Sequence, residues 1–132
     1  MSDSIILLVA RIFLAVLFLV SGLGILAAPD GFAGYMGAIG LPAPTLVAWL
    51  VIALKVLGSL ALIVGFQTRP VAYAIAAFTI GSAFLGHFDF GSQDQMTAFM
   101  KNFAIAGGLL ALSVAGPGAY SLDARRRSVA YA

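Results

Sequence analysis

Lys55 stands in the middle of an apolar run, Leu46–Phe66, in a chain whose four apolar runs contain no carboxylate. A cation at mid-membrane depth costs about 2.5–3.5 kcal/mol on insertion scales, so its presence calls for a reason. It lies nine residues inside the run, or about 14 Å at the rise of an α-helix. Helical spacing puts it on one face with Ile52, Gly58, Ser59 and Leu62, a small and slightly polar face suited to close packing. Two roles are open to it. It either snorkels or bonds to freed carbonyls as a structural residue, or it meets an anionic or polar ligand. Depth counts against snorkelling, because a lysine stem reaches only part of that distance.

A second polar group gathers His87 and Asp89 at the end of the third run, and Lys101 and Asn102 at the start of the fourth. Antiparallel neighbours bring such ends together. A histidine beside a carboxylate and an ammonium is able to bind or protonate a polar headgroup, such as a quinone oxygen. Histidines and lysines are also ordinary residues of a membrane edge. Lys55, His87, Lys101 and Asn102 are the candidate ligand-binding residues, with Arg11, Asp89 and Ser59 in support. Arg11 lies about 9 Å into the first run by helical rise, shallow enough to snorkel to the near surface.

Other chemistry is excluded by inventory. The chain has no cysteine, no glutamate and a single histidine. Thiolate catalysis and a protein-held metal cluster therefore have no ligands to draw on. No catalytic residue and no covalently held cofactor is expected, and the chain does not read as a stand-alone enzyme.

The elements that position these residues follow from composition. Of 132 residues, 62% are hydrophobic and 9% charged, against about 25% charged in a soluble domain. The runs Ile5–Ala28, Leu46–Phe66, Val71–Phe88 and Ala98–Ala115 are near the length that crosses a bilayer as a helix. None has the polar outer face that a soluble helix needs. The expectation is an all-α membrane protein, one antiparallel bundle of four helices at about 5–28, 46–66, 71–88 and 98–115. A short interfacial segment follows the first helix, where Phe32, Tyr35, Met36 and Ile39 lie in a glycine- and proline-rich loop. The stretch 119–132 reads as a polar tail. Small residues at helical spacing (Ser21 and Gly22; Gly58 and Ser59; Ala104, Gly108 and Ala111) mark helix contacts.

Basic residues set the orientation. Arg69 and Arg125 to Arg127 share one side with the N-terminus, while Asp30, Asp89 and Asp94 lie on the other. Both termini are expected in the cytoplasm. The formal charge of +2 suits anionic lipid headgroups, and three arginines beside a bilayer do not suit nucleic acid. Asp3 in place of a basic leader argues against a cleaved signal peptide.

The order of these features resembles the DoxX family of small bacterial membrane proteins. The matching stretches are Arg11 with Phe18-Leu19-Val20-Ser21-Gly22-Leu23, then Gly40-Leu41-Pro42, Gly65-Phe66-Gln67-Thr68-Arg69 and His87-Phe88. The most specific is Phe99-Met100-Lys101-Asn102-Phe103-Ala104-Ile105-Ala106-Gly107-Gly108-Leu109, followed by Gly116-Pro117-Gly118 and Ser121-Leu122-Asp123. The resemblance implies a four-helix bundle in the bacterial inner membrane. It also implies an association with quinone-linked sulfur or oxidative-stress chemistry, through the thiosulfate:quinone oxidoreductase subunit that gives the family its name. Two positions depart from the family pattern. Relatives often have a lysine near the end of helix one, where this chain has Ile25, and a glutamate in helix two, where it has Lys55.

Three functions are consistent with these residues. The first is a subunit of a membrane redox complex that holds a quinone among His87, Lys101 and Lys55. The second is a small transporter of an anionic or amphipathic solute that uses Lys55. The third is a membrane scaffold with no ligand. The lipid bilayer is a partner in all three, and redox-complex proteins and further copies of the chain are the protein partners they suggest.

Overall fold

The computed structural model describes residues 2–131. Met1 and Ala132, the ends of the expected single domain and of its tail, lie outside the described residues. Six helices follow in order: α1 (Asp3–Ala27), α2 (Pro29–Ala38), α3 (Pro44–Val64), α4 (Thr68–Gly86), α5 (Gln93–Ala115) and α6 (Leu122–Tyr131). α1, α3, α4 and α5 are each long and apolar enough to cross a membrane.

Local chemistry explains the boundaries. The Ser2 hydroxyl accepts from the Ile5 N–H and caps α1. Pro29 and Pro44 open α2 and α3, where a missing N–H does no harm. α3 stops at Gly65, which takes the left-handed conformation (φ 73°) while the Phe66 N–H reaches back to the Ala61 carbonyl at 2.8 Å. α4 begins at Thr68 rather than Val71, with Pro70 inside its first turn. α5 begins at Gln93, ahead of the expected Ala98, because Ser92 caps it and Asp94 sits in its first turn. That first turn is polar, so it does not stand out in a reading of apolar runs.

The packing inverts that of a soluble bundle. Large side chains such as Phe13, Val20, Leu57 and Val114 face outward, towards what lipid would cover. The interior is rich in small residues: Ala15, Ala48, Ala72, Ala76, Ala83 and Ala106 are all buried, around Phe18, Leu62, Ile75 and Leu109. Small residues let helices approach closely where lipid offers no hydrophobic driving force. α1 packs chiefly on α3 and α4 on α5, with α3 against α4 and α1 against α5 closing the ring. α2 lies along α3. Of the expected contact residues, Ser21, Gly22, Gly58 and Ser59 do face neighbours, whereas Ala104, Gly108 and Ala111 lie on the exposed side of α5. Gly108 still stands near α1, where a Cβ would meet Leu14 at 3.5 Å.

The expected polar tail is docked on the bundle. Asp123 donates its N–H to the Gly65 carbonyl at 2.9 Å, and its carboxylate accepts from the N–H groups of Gln67 (2.8 Å) and Thr68 (2.9 Å). It thereby caps α4 from a distant part of the chain. Arg11 joins this closure: it has no exposed surface, and its Nη2 donates to the Tyr120 carbonyl at 2.7 Å. The expected snorkelling of Arg11 is therefore overturned, since a carbonyl of the returning chain takes the place of the membrane surface.

Candidate ligand-binding cavity

Gly22 is where the site begins. A Cβ there would stand 2.8 Å from the Lys55 Cβ and 3.3 Å from the Val56 nitrogen, so only glycine lets α1 and α3 meet at this depth. That approach puts the neighbouring Ser21 hydroxyl 2.7 Å from the Lys55 Nζ, which donates to it. The ammonium also lies 5.4 Å from the centre of the Phe78 ring on α4, within range of a cation–π attraction. Lys55 is thus held between three helices without a carboxylate.

A second polar group joins α4 to α5. The Asn102 amide donates to the Thr79 carbonyl and to the Ser82 hydroxyl, both at 3.1 Å. Ser82 itself donates to the Thr79 carbonyl at 2.9 Å. At the end of α4, His87 Nδ1 lies 3.0 Å from Gln95 Oε1. With the proton on Nδ1, the other ring nitrogen is an acceptor.

Both groups open on one cavity of about 800 Å³. Lys55 and Ser21 line it at mid-depth, Asn102, Thr79 and Ser82 along one wall, and His87 towards the α2 end. α2 supplies Phe32, Tyr35 and Met36 to the lining, and Ile39 follows directly after it. Gly86 leaves room for this cover, since a Cβ there would lie 3.2 Å from the Tyr35 hydroxyl. No aspartate lines the cavity. Its size falls in the range of small-molecule sites, which is about 300–1,000 Å³.

The sequence candidates divide accordingly. Lys55, His87 and Asn102 share the cavity lining, while Lys101 is exposed on α5 and absent from it. Asp89 is exposed and accepts from the Gly91 N–H in its own loop. Ser59 is buried and donates to the Val56 carbonyl of its own helix. Arg11 belongs to the closure at the tail. The expected meeting of His87, Asp89 and Lys101 gives way to a His87–Gln95 contact, because the helical start of α5 at Gln93 carries Gln95 to the histidine.

Residues that sequence reasoning missed are Ser21 as the partner of Lys55, and Tyr35, Phe78, Thr79 and Ser82 in the lining. Ser21 carried a signal in its adjacency to Gly22, which marks a close approach. The others are visible only once α2 and α4 are placed. Among the described residues, no group of three His, Cys, Asp or Glu side chains could hold a metal ion. The arrangement is suited to binding a polar head with an apolar body.

Comparison with known proteins places this architecture. The DoxX family model matches residues 6–88, a span that includes Lys55 and His87 and ends before Asn102. The chain is 45% identical to the inner membrane protein YqjF of Escherichia coli (strain K12) over 116 residues, 88% of each chain. It is 36% identical to the inner membrane protein YphA of the same organism over 126 residues, 92% of this chain and 90% of that one. No solved structure matches the chain. With the family model over most of the chain and two relatives aligned nearly end to end, this integral membrane protein of four membrane-spanning helices belongs to the DoxX family.

Proposed function

We propose that this protein binds the polar head of an amphipathic ligand, a quinone fitting best, as a membrane subunit of a redox assembly that does not catalyse alone. One observation carries the reading: a cavity of about 800 Å³ has the Lys55 donor at mid-depth and a polar wall at Asn102, Thr79 and Ser82, with apolar lining between them. A quinone offers two carbonyl oxygens on an apolar ring. Lys55 has donor capacity beyond its bond to Ser21, and His87 stands near the α2 end as a donor or an acceptor. An isoprenoid tail is able to leave between helices into lipid. Association with redox partners follows from the family resemblance alone. The arginine bias supports an inner-membrane orientation with both termini in the cytoplasm.

The test is calorimetric titration of the purified protein with a short-chain quinone. Saturable binding that Lys55→Met weakens about tenfold, the ~1.4 kcal/mol scale of one polar contact, supports the reading. No binding at saturating quinone, together with no oxidoreductase among proteins that co-purify in mild detergent, leaves the scaffold as the better description.

A further inference from the structure

A separate pocket lies at the opposite end of the bundle, where the returning chain meets the α3–α4 turn. It is a shallow, open depression of about 400 Å³ lined by Gln67, Thr68, Arg69, Pro70, Asp123, Arg126 and Arg127. Three arginines from two distant stretches of sequence thus line one depression with a single carboxylate. Both oxygens of that carboxylate are already engaged by the Gln67 and Thr68 N–H groups. The arginine side is therefore in excess, and it stands at the positive N-terminal end of α4.

The fold brings these exposed arginines together. Arg69 lies against the corner that ends α5, with its guanidinium at ordinary contact distance (3.4 Å) from where a Cβ on Gly116 would stand. Arg126 lies over the Phe66 ring, 5.6 Å from its centre. Asp123, by joining α6 to the α3–α4 turn, holds Arg126 and Arg127 on the same side as Arg69. Depth supplies the rest of the argument. The pocket opens beyond the last residues of one membrane-spanning helix and at the first turn of the next, beside exposed Phe66, Tyr73 and Tyr120. Aromatic side chains at such a level mark the boundary between hydrocarbon and headgroups. Planar guanidinium groups match phosphate oxygens two at a time.

We infer that Arg69, Arg126 and Arg127 form a phosphate-binding site, placed to take the phosphate of an anionic lipid headgroup. The site is independent of the quinone cavity, which lies towards the other end of the bundle. It also gives α6 a second role: the docked tail completes a lipid site that the four spans alone do not contain.

The full chain in neutral detergent is titrated with short-chain phosphatidylglycerol, short-chain phosphatidylcholine and inorganic phosphate. Saturable phosphatidylglycerol binding is expected, with phosphatidylcholine at least tenfold weaker. Arg126→Gln combined with Arg69→Gln should weaken phosphatidylglycerol binding by tenfold or more. Arg125→Gln, which removes the same charge from α6 outside the pocket lining, should leave it unchanged. If the double variant loses its fold, exposed Arg127→Gln carries the same comparison. Inorganic phosphate that binds as tightly as the lipid, with the same response to the variants, keeps the site and assigns it to free phosphate. Equal affinity for the zwitterionic lipid, or an Arg125→Gln loss as large as that of the pocket variants, overturns it.

Discussion

Arg11 in α1 and Lys55 in α3 are both cations inside membrane-spanning helices, yet one has no exposed surface and the other lines a cavity. Arg11 donates to a backbone carbonyl that arrives from the far end of the chain, and it is surrounded by Gly65, Tyr120 and Ser121. Lys55 donates to one hydroxyl and lies near one aromatic ring, beside open space. The type of charge does not separate a filled environment from an open one here. What separates them is whether another part of the chain fills the volume in front of the charge. At Arg11 the returning segment fills it, and at Lys55 no described residue does.

The largest test of this contrast is Arg11→Ala. It leaves a cavity and frees the Tyr120 carbonyl, so it should destabilise the protein by about 2–4 kcal/mol. Thermal unfolding in detergent measures this, and quinone binding at low temperature should be retained. A loss of binding with no change in melting would make Arg11 part of the site and break the comparison.

Gly22→Ala comes next. Its added Cβ would collide with Lys55 and with the Val56 backbone, and overpacking of this kind costs about 1–3 kcal/mol. Because the same contact places Ser21 against Lys55, binding should weaken together with stability. Unchanged melting and unchanged binding would show that α1 and α3 do not approach as described.

Lys55→Met is the mirror image of the arginine variant. Methionine keeps much of the volume, so the stability change should stay within about 1.5 kcal/mol, while quinone binding falls about tenfold. Lys55→Glu should be tolerated less well than Lys55→Met, since it keeps a charge at mid-depth and inverts its sign. Better accumulation of the glutamate variant would reveal a cationic partner near the site.

Asp123→Asn sharpens the tail side of the comparison. Losing a carboxylate from the start of α4 should cost about 1 kcal/mol, the scale of a helix cap. Burial works against the charge of Asp123, but the backbone N–H groups of Thr68 and Gln67, with Arg126 nearby, outweigh it and hold the carboxyl below its usual range. Its contribution is therefore complete above the unfolded value of about 3.9 and is lost as pH falls through the lower folded value. Wild-type melting should drop in that acid window, and Asp123→Asn should flatten the drop. Smallest of all, Lys101→Ala should change neither melting nor quinone binding, because the side chain is exposed and away from the cavity.

Much of the candidate site was legible before the fold, though unevenly. Lys55 stood out because a charge inside an apolar run is expensive wherever the helix is placed. His87 and Asn102 stood out as polar residues at helix ends, and both line the cavity. Lys101, adjacent to Asn102, looked equivalent in sequence, but one residue is about 100° of helical rotation, enough to turn it outward. Tyr35 was legible as an interfacial aromatic. That it covers the cavity depends on the path of α2 over α3, which local sequence does not specify.

Composition alone determined the class of this protein. Four long runs without carboxylates must satisfy their backbones as helices in lipid, and successive crossings make them antiparallel. Small residues at helical spacing showed where α1 and α3 meet their neighbours, at Ser21, Gly22, Gly58 and Ser59, but those on α5 (Ala104, Gly108 and Ala111) lie on its exposed side. Only the tertiary structure decided the fate of each polar side chain, because that depends on what other segments bring to it. It brought Tyr120 to Arg11, Ser21 to Lys55 and Gln95 to His87. It also turned the tail into a clamp, since Asp123 finds its acceptor role at the start of α4, more than fifty residues away in the chain.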